Sequence, residues 1–409
     1  MYVYDYNVIK GQILKLKKNL PPNVRVYYSV KANPNIAILR IMKKFGLGAQ
    51  IVSLGEFTGA KRAGFNGDDV IFCGSIKSDN EIRQAIKHGI DLIGVESFFE
   101  LQRLNKIVNG FSRPKKQKII IRLDPSDFNA KSSLPRRQKV LGFGLSLDEL
   151  KKILIRFPGA FPSLDLKGIH IYQIRDVFDS GVLAENTERV FSIVLDLEKQ
   201  SGLHFETVNI GGGFGSNSRS ELQVLDFGRR LRELISKYSF ADRKIILELG
   251  RYLVNNAGSF ITDIIDLQKI NNRQIIAVSG IVNCIIRALG PPDGIARFRD
   301  NIQNYPIDIL SPSRSGPSVS SLVRGQSSTT ADIFGRNFLC EFAIPPSKIG
   351  DLIRIRGVGA YGLTQSLLSF CSRPTAAEFL LINGKLELIR DKGEAGDFLL
   401  HQRIPSTLK

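Results

Sequence analysis

Val24-Arg25-Val26-Tyr27-Tyr28-Ser29-Val30-Lys31-Ala32-Asn33-Pro34 is the stretch on which the fold of this chain turns. Its first half alternates and is rich in β-branched and aromatic residues, the pattern of a strand, and Ala32-Asn33-Pro34 ends that strand abruptly. Lys31 therefore stands where a strand meets a loop. An amine at such a junction can point into the mouth of a barrel rather than into solvent. There it can desolvate, lose its proton more easily and form a Schiff base with an aldehyde.

The same strand-then-helix unit recurs from this stretch onward, to about residue 255. Strands are predicted at Val24–Val30, Gln50–Ser53, Val70–Cys73, Leu92–Val95, Lys118–Leu123, Gly168–Tyr172, Thr207–Ile210 and Ile245–Glu248. Amphipathic segments lie between them at Ile36–Phe45, Glu56–Ala63, Asp79–His88, Ser97–Val108, Ser146–Arg156, Glu185–Gln200 and Leu222–Ser236. Alternation on this scale predicts an α/β protein with a (β/α)8 barrel of the TIM type, since an open sheet rarely needs so many units. After residue 257 the texture changes to short β-runs at Ser259–Ile270, Gln274–Val278, Asp351–Arg356, Glu378–Ile382 and Lys385–Arg390. Asn383-Gly384 between the last two is a hairpin signal. The Ser-, Gly- and Pro-rich stretch Ser311–Thr330 reads as a loop. The expected domains are a barrel over 8–256 and a mostly β domain over 257–409, to which residues 1–7 could add a strand.

Composition sets limits on the partners. At 409 residues the chain has room for two domains, and its apolar and charged content is that of an ordinary globular protein. No apolar run approaches the roughly 18 residues of a membrane helix. Met1-Tyr2-Val3-Tyr4-Asp5-Tyr6 is not an export signal, so the cytoplasm is the expected location and no membrane partner is expected. Cys73, Cys284, Cys340 and Cys371 have no CxxC spacing, which predicts neither a zinc site nor a disulfide framework. The net charge of +18 is spread along the chain without a continuous basic stripe. That distribution speaks against nucleic acid and fits solvated helix faces, or an acidic partner or phosphorylated cofactor drawn in by a positive field.

Two further motifs give the lysine a chemical context. Val208-Asn209-Ile210-Gly211-Gly212-Gly213-Phe214-Gly215 is a strand running into glycines, whose backbone can approach an anion closely. It is the seventh strand in the count above, and barrel phosphate sites commonly use the loops after strands seven and eight. Strand eight ends in Leu247-Glu248-Leu249-Gly250-Arg251. A carboxylate facing a pyridine nitrogen keeps it protonated and makes the ring a better electron sink, and the Gly250 and Arg251 amides can join a phosphate cup. A lysine, a glycine cluster and this carboxylate together fit pyridoxal 5′-phosphate, with no metal.

Tyr28-x-Val30-Lys31-Ala32-Asn33 resembles the cofactor-lysine motif of the pyridoxal-phosphate decarboxylases that include ornithine, arginine and diaminopimelate decarboxylases. Glu248-Leu249-Gly250-Arg251 resembles that family's Glu-Pro-Gly-Arg. Gly168-Ile169-His170-Ile171-Tyr172 resembles the motif whose second aromatic position stacks on the cofactor ring. Gln173-Ile174-Arg175-Asp176 departs from the Gly-Ser/Thr-Gln expected next, and Gln50 stands where an aspartate is usual. Asn283-Cys284-Ile285-Ile286-Arg287 resembles the segment whose arginine holds a substrate carboxylate, a task suited to a guanidinium fork. Cys340-Glu341 resembles the Cys-Glu or Cys-Asp pair that brings a proton donor from the neighbouring subunit. Gly359-Ala360-Tyr361 resembles the turn whose tyrosine reaches the cofactor phosphate. The continuation to Ser366, then Arg373-Pro374 and Glu378, looks closer to the branch with carrier-protein-linked glutamyl decarboxylases.

The resemblance implies an alanine-racemase-like barrel and removal of the α-carboxylate from an amino acid, diaminopimelate- or ornithine-like or carrier-linked. It implies that Lys31 carries the cofactor, Tyr172 stacks on it, Glu248 faces its nitrogen, and Gly211, Gly212, Gly213, Gly250, Arg251 and Tyr361 hold its phosphate. Arg287 and Glu341 would bind substrate and Cys340 would protonate the product across a homodimer. Two alternatives stand beside this reading: a racemase on the same barrel, which Glu248 opposes, and a non-catalytic homologue, which Lys31 opposes.

Overall fold

The computed structural model describes residues 1–111, 115–126, 142–217, 220–270, 273–281, 283–285, 305–310, 317–327, 332–334 and 342–408. They form two compact units, one of Lys10–Ser216 with Ser220–Leu253 and the other of Met1–Ile9, Asn217–Arg219 and Val254–Lys409.

Strand β1 (Tyr2–Asp5) opens the chain and belongs to the second unit. In the first unit, β2 (Val24–Ser29), β3 (Gly48–Ile51), β4 (Val70–Phe72), β5 (Leu92–Val95), β6 (Gln117–Arg122), β7 (Leu164–His170), β8 (Thr207–Asn209) and β9 (Lys244–Leu249) close into a barrel. Each strand pairs in parallel with its neighbour, and β9 returns to β2 with Tyr27 opposite Glu248. Tyr27, Ile71, Cys73, Leu92, Ile120 and Ile246 pack together as a buried cluster.

The helices between strands start where short polar side chains can satisfy free backbone N–H groups. Asn35, Ser53, Ser78, Ser97, Ser146 and Asp179 each accept a bond from an N–H in the first turn that follows. The segments begin at Ile36, Leu54, Asp79, Phe98, Leu147 and Ser180, within a few residues of the predicted starts except for the last. A helix over Tyr6–Asn19 was not predicted, although Ile9, Ile13 and Leu16 recur at helical spacing and are all buried. Its lysine-rich outer face hides the periodicity.

The second unit carries β10 (Gly258–Ile270), β11 (Arg273–Val278), β12 (Ile307–Ile309), β13 (Val319–Arg324), β14 (Ile333–Phe334), β15 (Phe342–Ile344), β16 (Leu352–Arg356), β17 (Glu378–Ile382) and β18 (Lys385–Arg390). With β1 they form one sheet, whose main path runs β14-β13-β11-β10-β1-β17-β18. Asn383 and Gly384 take φ of 51° and 75°, as a tight hairpin between twisted strands requires. The expectation of a loop over Ser311–Thr330 is corrected: Val319–Arg324 is a strand, parallel to β11 and antiparallel to β14 and β15. Serines made it read as a loop, but Ser321 is buried and its hydroxyl donates to the Val319 carbonyl.

Strand β1 is antiparallel to β10 and parallel to β17. Tyr4 donates to Glu378 at 2.6 Å, and Arg390 also pairs with that carboxylate. Glu378 thus fastens the first strand of the chain to one of the last.

Candidate active site

All eight barrel strands end in a residue capable of polar chemistry. Lys31, Gln50, Cys73, Glu96, Arg122, His170, Asn209 and Glu248 lie at or just beyond the carboxyl ends of β2 to β9, in that order. In this architecture that face carries the chemistry. Register brings neighbours level, with Arg122 opposite His170 and His170 opposite Asn209.

Lys31 occupies a single 3-10 turn, Val30–Ala32, immediately after β2. Its side chain is exposed. Its charge nevertheless acts on Glu56, His170 and Glu248. A Cβ on Gly250 would lie 2.8 Å from Ala32 Cβ, so the end of β9 packs directly on this turn.

Glu248 is held from several sides. The Asn209 amide donates to its Oε1 at 2.7 Å, and the Gly211 N–H donates to Asn209 Oδ1 at 2.9 Å. Burial pushes the Glu248 carboxyl up. The Asn209 bond, the Lys31 and Arg122 charges and the Cys73 thiol pull it back. His170 is buried, and burial holds its pKa well below the usual value, with Arg122 and Lys31 adding to the shift. The ring is therefore neutral near neutral pH. Its Nε2 has no hydrogen-bond partner among the described residues. Arg122 pairs with Glu96 at 2.7 Å, while Lys77 pairs with Glu100 at 2.8 Å in a buried contact.

The glycine cluster is shaped by close approach. Gly211 and Gly213 have φ of 67° and 88°. A Cβ on Gly211 would lie 2.4 Å from the Tyr172 ring, and one on Gly213 would lie 2.4 Å from the Ile174 carbonyl oxygen. Tyr172 is thereby seated against the turn. The chain just after the departing segment Gln173–Asp176 also joins it: the Val177 N–H donates to the Gly213 carbonyl at 2.8 Å, and the Gly215 N–H donates to the Val177 carbonyl at 2.7 Å. Asp176, at φ 54°, pairs with the Arg251 guanidinium at 3.2 Å.

The barrel unit thus brings together Lys31, Tyr172, Gly211, Gly212, Gly213, Glu248, Gly250 and Arg251. Tyr361 lies in the second unit, half-buried, with φ of 62°, a strained conformation for a residue with a side chain. Arg287, Cys340 and Glu341 lie outside the described residues. Sequence reading missed Cys73, Arg122 and Asn209. Arg122 had a signal, a guanidinium closing Ile119-Ile120-Ile121 at a barrel-strand end.

A half-buried carboxylate, an unpartnered buried imidazole nitrogen and a glycine turn that any side chain would fill suit a small, anionic ring compound beside a lysine. Pyridoxal phosphate answers that description. Cys73, His170 and Glu248 offer donor atoms within 4.8 Å of one another. A metal there would need a thiolate, and burial raises the Cys73 thiol well above its ordinary range.

Comparison with known proteins agrees with the geometry. Residues 7–255 match the family model described as pyridoxal-dependent decarboxylase, pyridoxal binding domain. The chain belongs to this family. It is a pyridoxal-phosphate-dependent decarboxylase acting on an amino acid. Over 98% of its length it is 28% identical to L-glutamyl-[BtrI acyl-carrier protein] decarboxylase of Niallia circulans, covering 93% of that protein. Over 91% of its length it is 29% identical to 2-[(L-alanin-3-ylcarbamoyl)methyl]-2-hydroxybutanedioate decarboxylase of Staphylococcus aureus, covering 92% of that protein. Among solved structures, diaminopimelate decarboxylase from Helicobacter pylori complexed with L-lysine superposes with a TM-score of 0.81 at 26% identity, covering 97% of this chain and 95% of that one.

Proposed function

We propose that this decarboxylase acts on an amino acid joined through its side chain to a larger group, with the α-amino and α-carboxyl groups free. Two relatives support the reading. One acts on a glutamyl group carried by a protein, and an α-decarboxylase needs that group attached through its other carboxyl. The other acts on an alanine substituted at carbon 3. An exposed Lys31 at the barrel rim suits a substrate whose bulk stays outside. The positive net charge suits an acidic carrier.

When bound, pyridoxal phosphate supplies an electron sink for the charge left by departing carbon dioxide. Lys31 Nζ would hold it covalently. Glu248 would keep a proton on the ring nitrogen, and Tyr172 would pack against the ring. The N–H groups of Gly211 to Gly213, Gly250 and Arg251, with the Tyr361 hydroxyl, take the phosphate. Arg287 and Glu341 recognise the substrate. Cys340 of a second copy delivers the proton to the α-carbon, which makes the active species a homodimer. The observation that carries the reading is the joint placement of Lys31, the glycine turn and half-buried Glu248 at one end of the barrel.

The test is release of carbon dioxide from a panel: free diaminopimelate, ornithine, arginine and glutamate, and glutamate linked through its γ-carboxyl to a phosphopantetheinyl carrier protein. Turnover of the carrier-linked compound, and not of the free ones, is expected. Preferential turnover of free diaminopimelate, the substrate named for several relatives, would instead place the chain with them.

A further inference from the structure

Cys73 is not accounted for by the roles above. It follows β4 directly, is buried, and packs against the apolar barrel cluster on one side. On the other side its Sγ lies within 4.8 Å of a Glu248 carboxylate oxygen. The neighbouring strand makes room for the sulfur: a Cβ at Gly94 would lie 2.9 Å from Cys73 Sγ. A ring nitrogen of His170 completes the group, and the three donor atoms lie within 4.8 Å of one another. His170 Nε2, on a residue 3% exposed, has no partner among the described residues. An ordinary core cysteine needs neither a carboxylate nor a slot in the next strand.

We propose that Cys73 is a positioning residue for Glu248, its thiol donating to the carboxylate and, together with the Asn209 amide, keeping it ionised and fixed against the cofactor ring. This rests on the reading that Glu248 faces the ring nitrogen. A carboxylate taken partly out of water is costly to ionise, and a donor to the charged form offsets that cost. A protonated thiol suits the task because it donates without adding charge. The charged and titratable groups facing this carboxylate are Lys31 after β2, Cys73 after β4, Arg122 on β6 and His170 on β7, with Glu96 after β5 paired to Arg122. His170 stays neutral near neutral pH, and Lys31 and Arg122 favour the carboxylate. Removing the thiol takes away a donor and leaves the attractions from these cations in place. Protonation of Glu248 then moves to higher pH, and the acid limb of activity follows it upward.

The experiment has a cofactor-free arm and a holoenzyme arm. In the apoprotein, the S–H stretching band isolated as wild type minus Cys73→Ser is expected at lower frequency than a free thiol, and Glu248→Gln should move it back toward the free value. A band at the free-thiol position, unmoved by Glu248→Gln, overturns the proposal. In the holoenzyme, the acid limb of kcat/KM should rise by about one pH unit in Cys73→Ala and Cys73→Val and return in Cys73→Ser, with cofactor affinity at alkaline pH changed by less than about threefold. If Cys73→Val matches wild type and Cys73→Ser is the worst variant, Cys73 is a core residue and the proposal fails. If Glu248→Gln moves the thiol band yet leaves turnover intact, the thiol bond stands but the facing of Glu248 to the ring is wrong, and the positioning role falls with it.

Discussion

Lys31 and Glu248 separate two kinds of contribution to one site. Lys31→Ala should abolish the visible band that borohydride bleaches, and decarboxylation with it, while leaving the far-ultraviolet circular dichroism unchanged. That follows from its exposed place in the turn after β2 and from the Schiff-base role proposed for it. A bleachable band surviving in this variant would remove Lys31 from its role. Glu248→Gln should lower kcat by about a hundredfold or more, an effect of about 2.7 kcal/mol on the barrier, yet weaken cofactor binding by less than about tenfold. In the proposed arrangement the carboxylate would act on the electronics of the ring, whereas phosphate contacts would supply much of the affinity. Equal losses of both would mark Glu248 as structural. These residues were legible in the sequence because each sits in a short contiguous motif at a strand end. Cys73, Arg122 and Asn209 were not, since each is a single polar residue among apolar ones. Only closure of the barrel brings them to the same carboxylate.

Among the elements, the turn after β8 is where backbone shape and ligand binding are hardest to separate. Gly213→Ala places a Cβ 2.4 Å from a carbonyl oxygen and at a φ of 88°. The strain should cost about 1–3 kcal/mol, and cofactor affinity, measured by equilibrium dialysis, should fall by about tenfold or more. Gly202, at φ 69° after the helix Ser180–Ser201, has no atom within 4 Å of where a Cβ would stand. Gly202→Ala should therefore cost only about 1 kcal/mol and leave affinity unchanged. Equal effects of the two substitutions on affinity would mean that the turn after β8 does not hold the phosphate. Element boundaries were readable where local chemistry sets them, as with the serine-capped helices and the Asn383-Gly384 hairpin. Strand β13 was not readable, because its Ser-rich sequence depends on a parallel partner, β11, more than forty positions earlier in the chain.

For the molecule as a whole, the proposed role of Cys340 makes a sharp demand. If Lys31 and Cys340 of one site belong to different copies, activity requires a dimer. Mixing Lys31→Ala with Cys340→Ala protein should then restore up to about a quarter of wild-type activity, since random exchange makes about half the dimers hybrid and each hybrid keeps one intact site. The measurement needs both single variants to be nearly inactive and subunit exchange shown independently, for example by mass tagging. Demonstrated exchange without recovery would return Cys340 to an ordinary place in its own subunit.

Strand β1 also bears on how the protein is made. Tyr2 pairs with Phe260 on one side and Glu378 on the other, so this strand finds its last partner only after hundreds more residues have been synthesised. Throughout translation, Tyr2-Val3-Tyr4 is an unpaired β-prone segment, a hazard until both neighbours arrive. A nascent chain stalled before β17 would carry that edge open, which makes prematurely terminated products the natural clients of a chaperone.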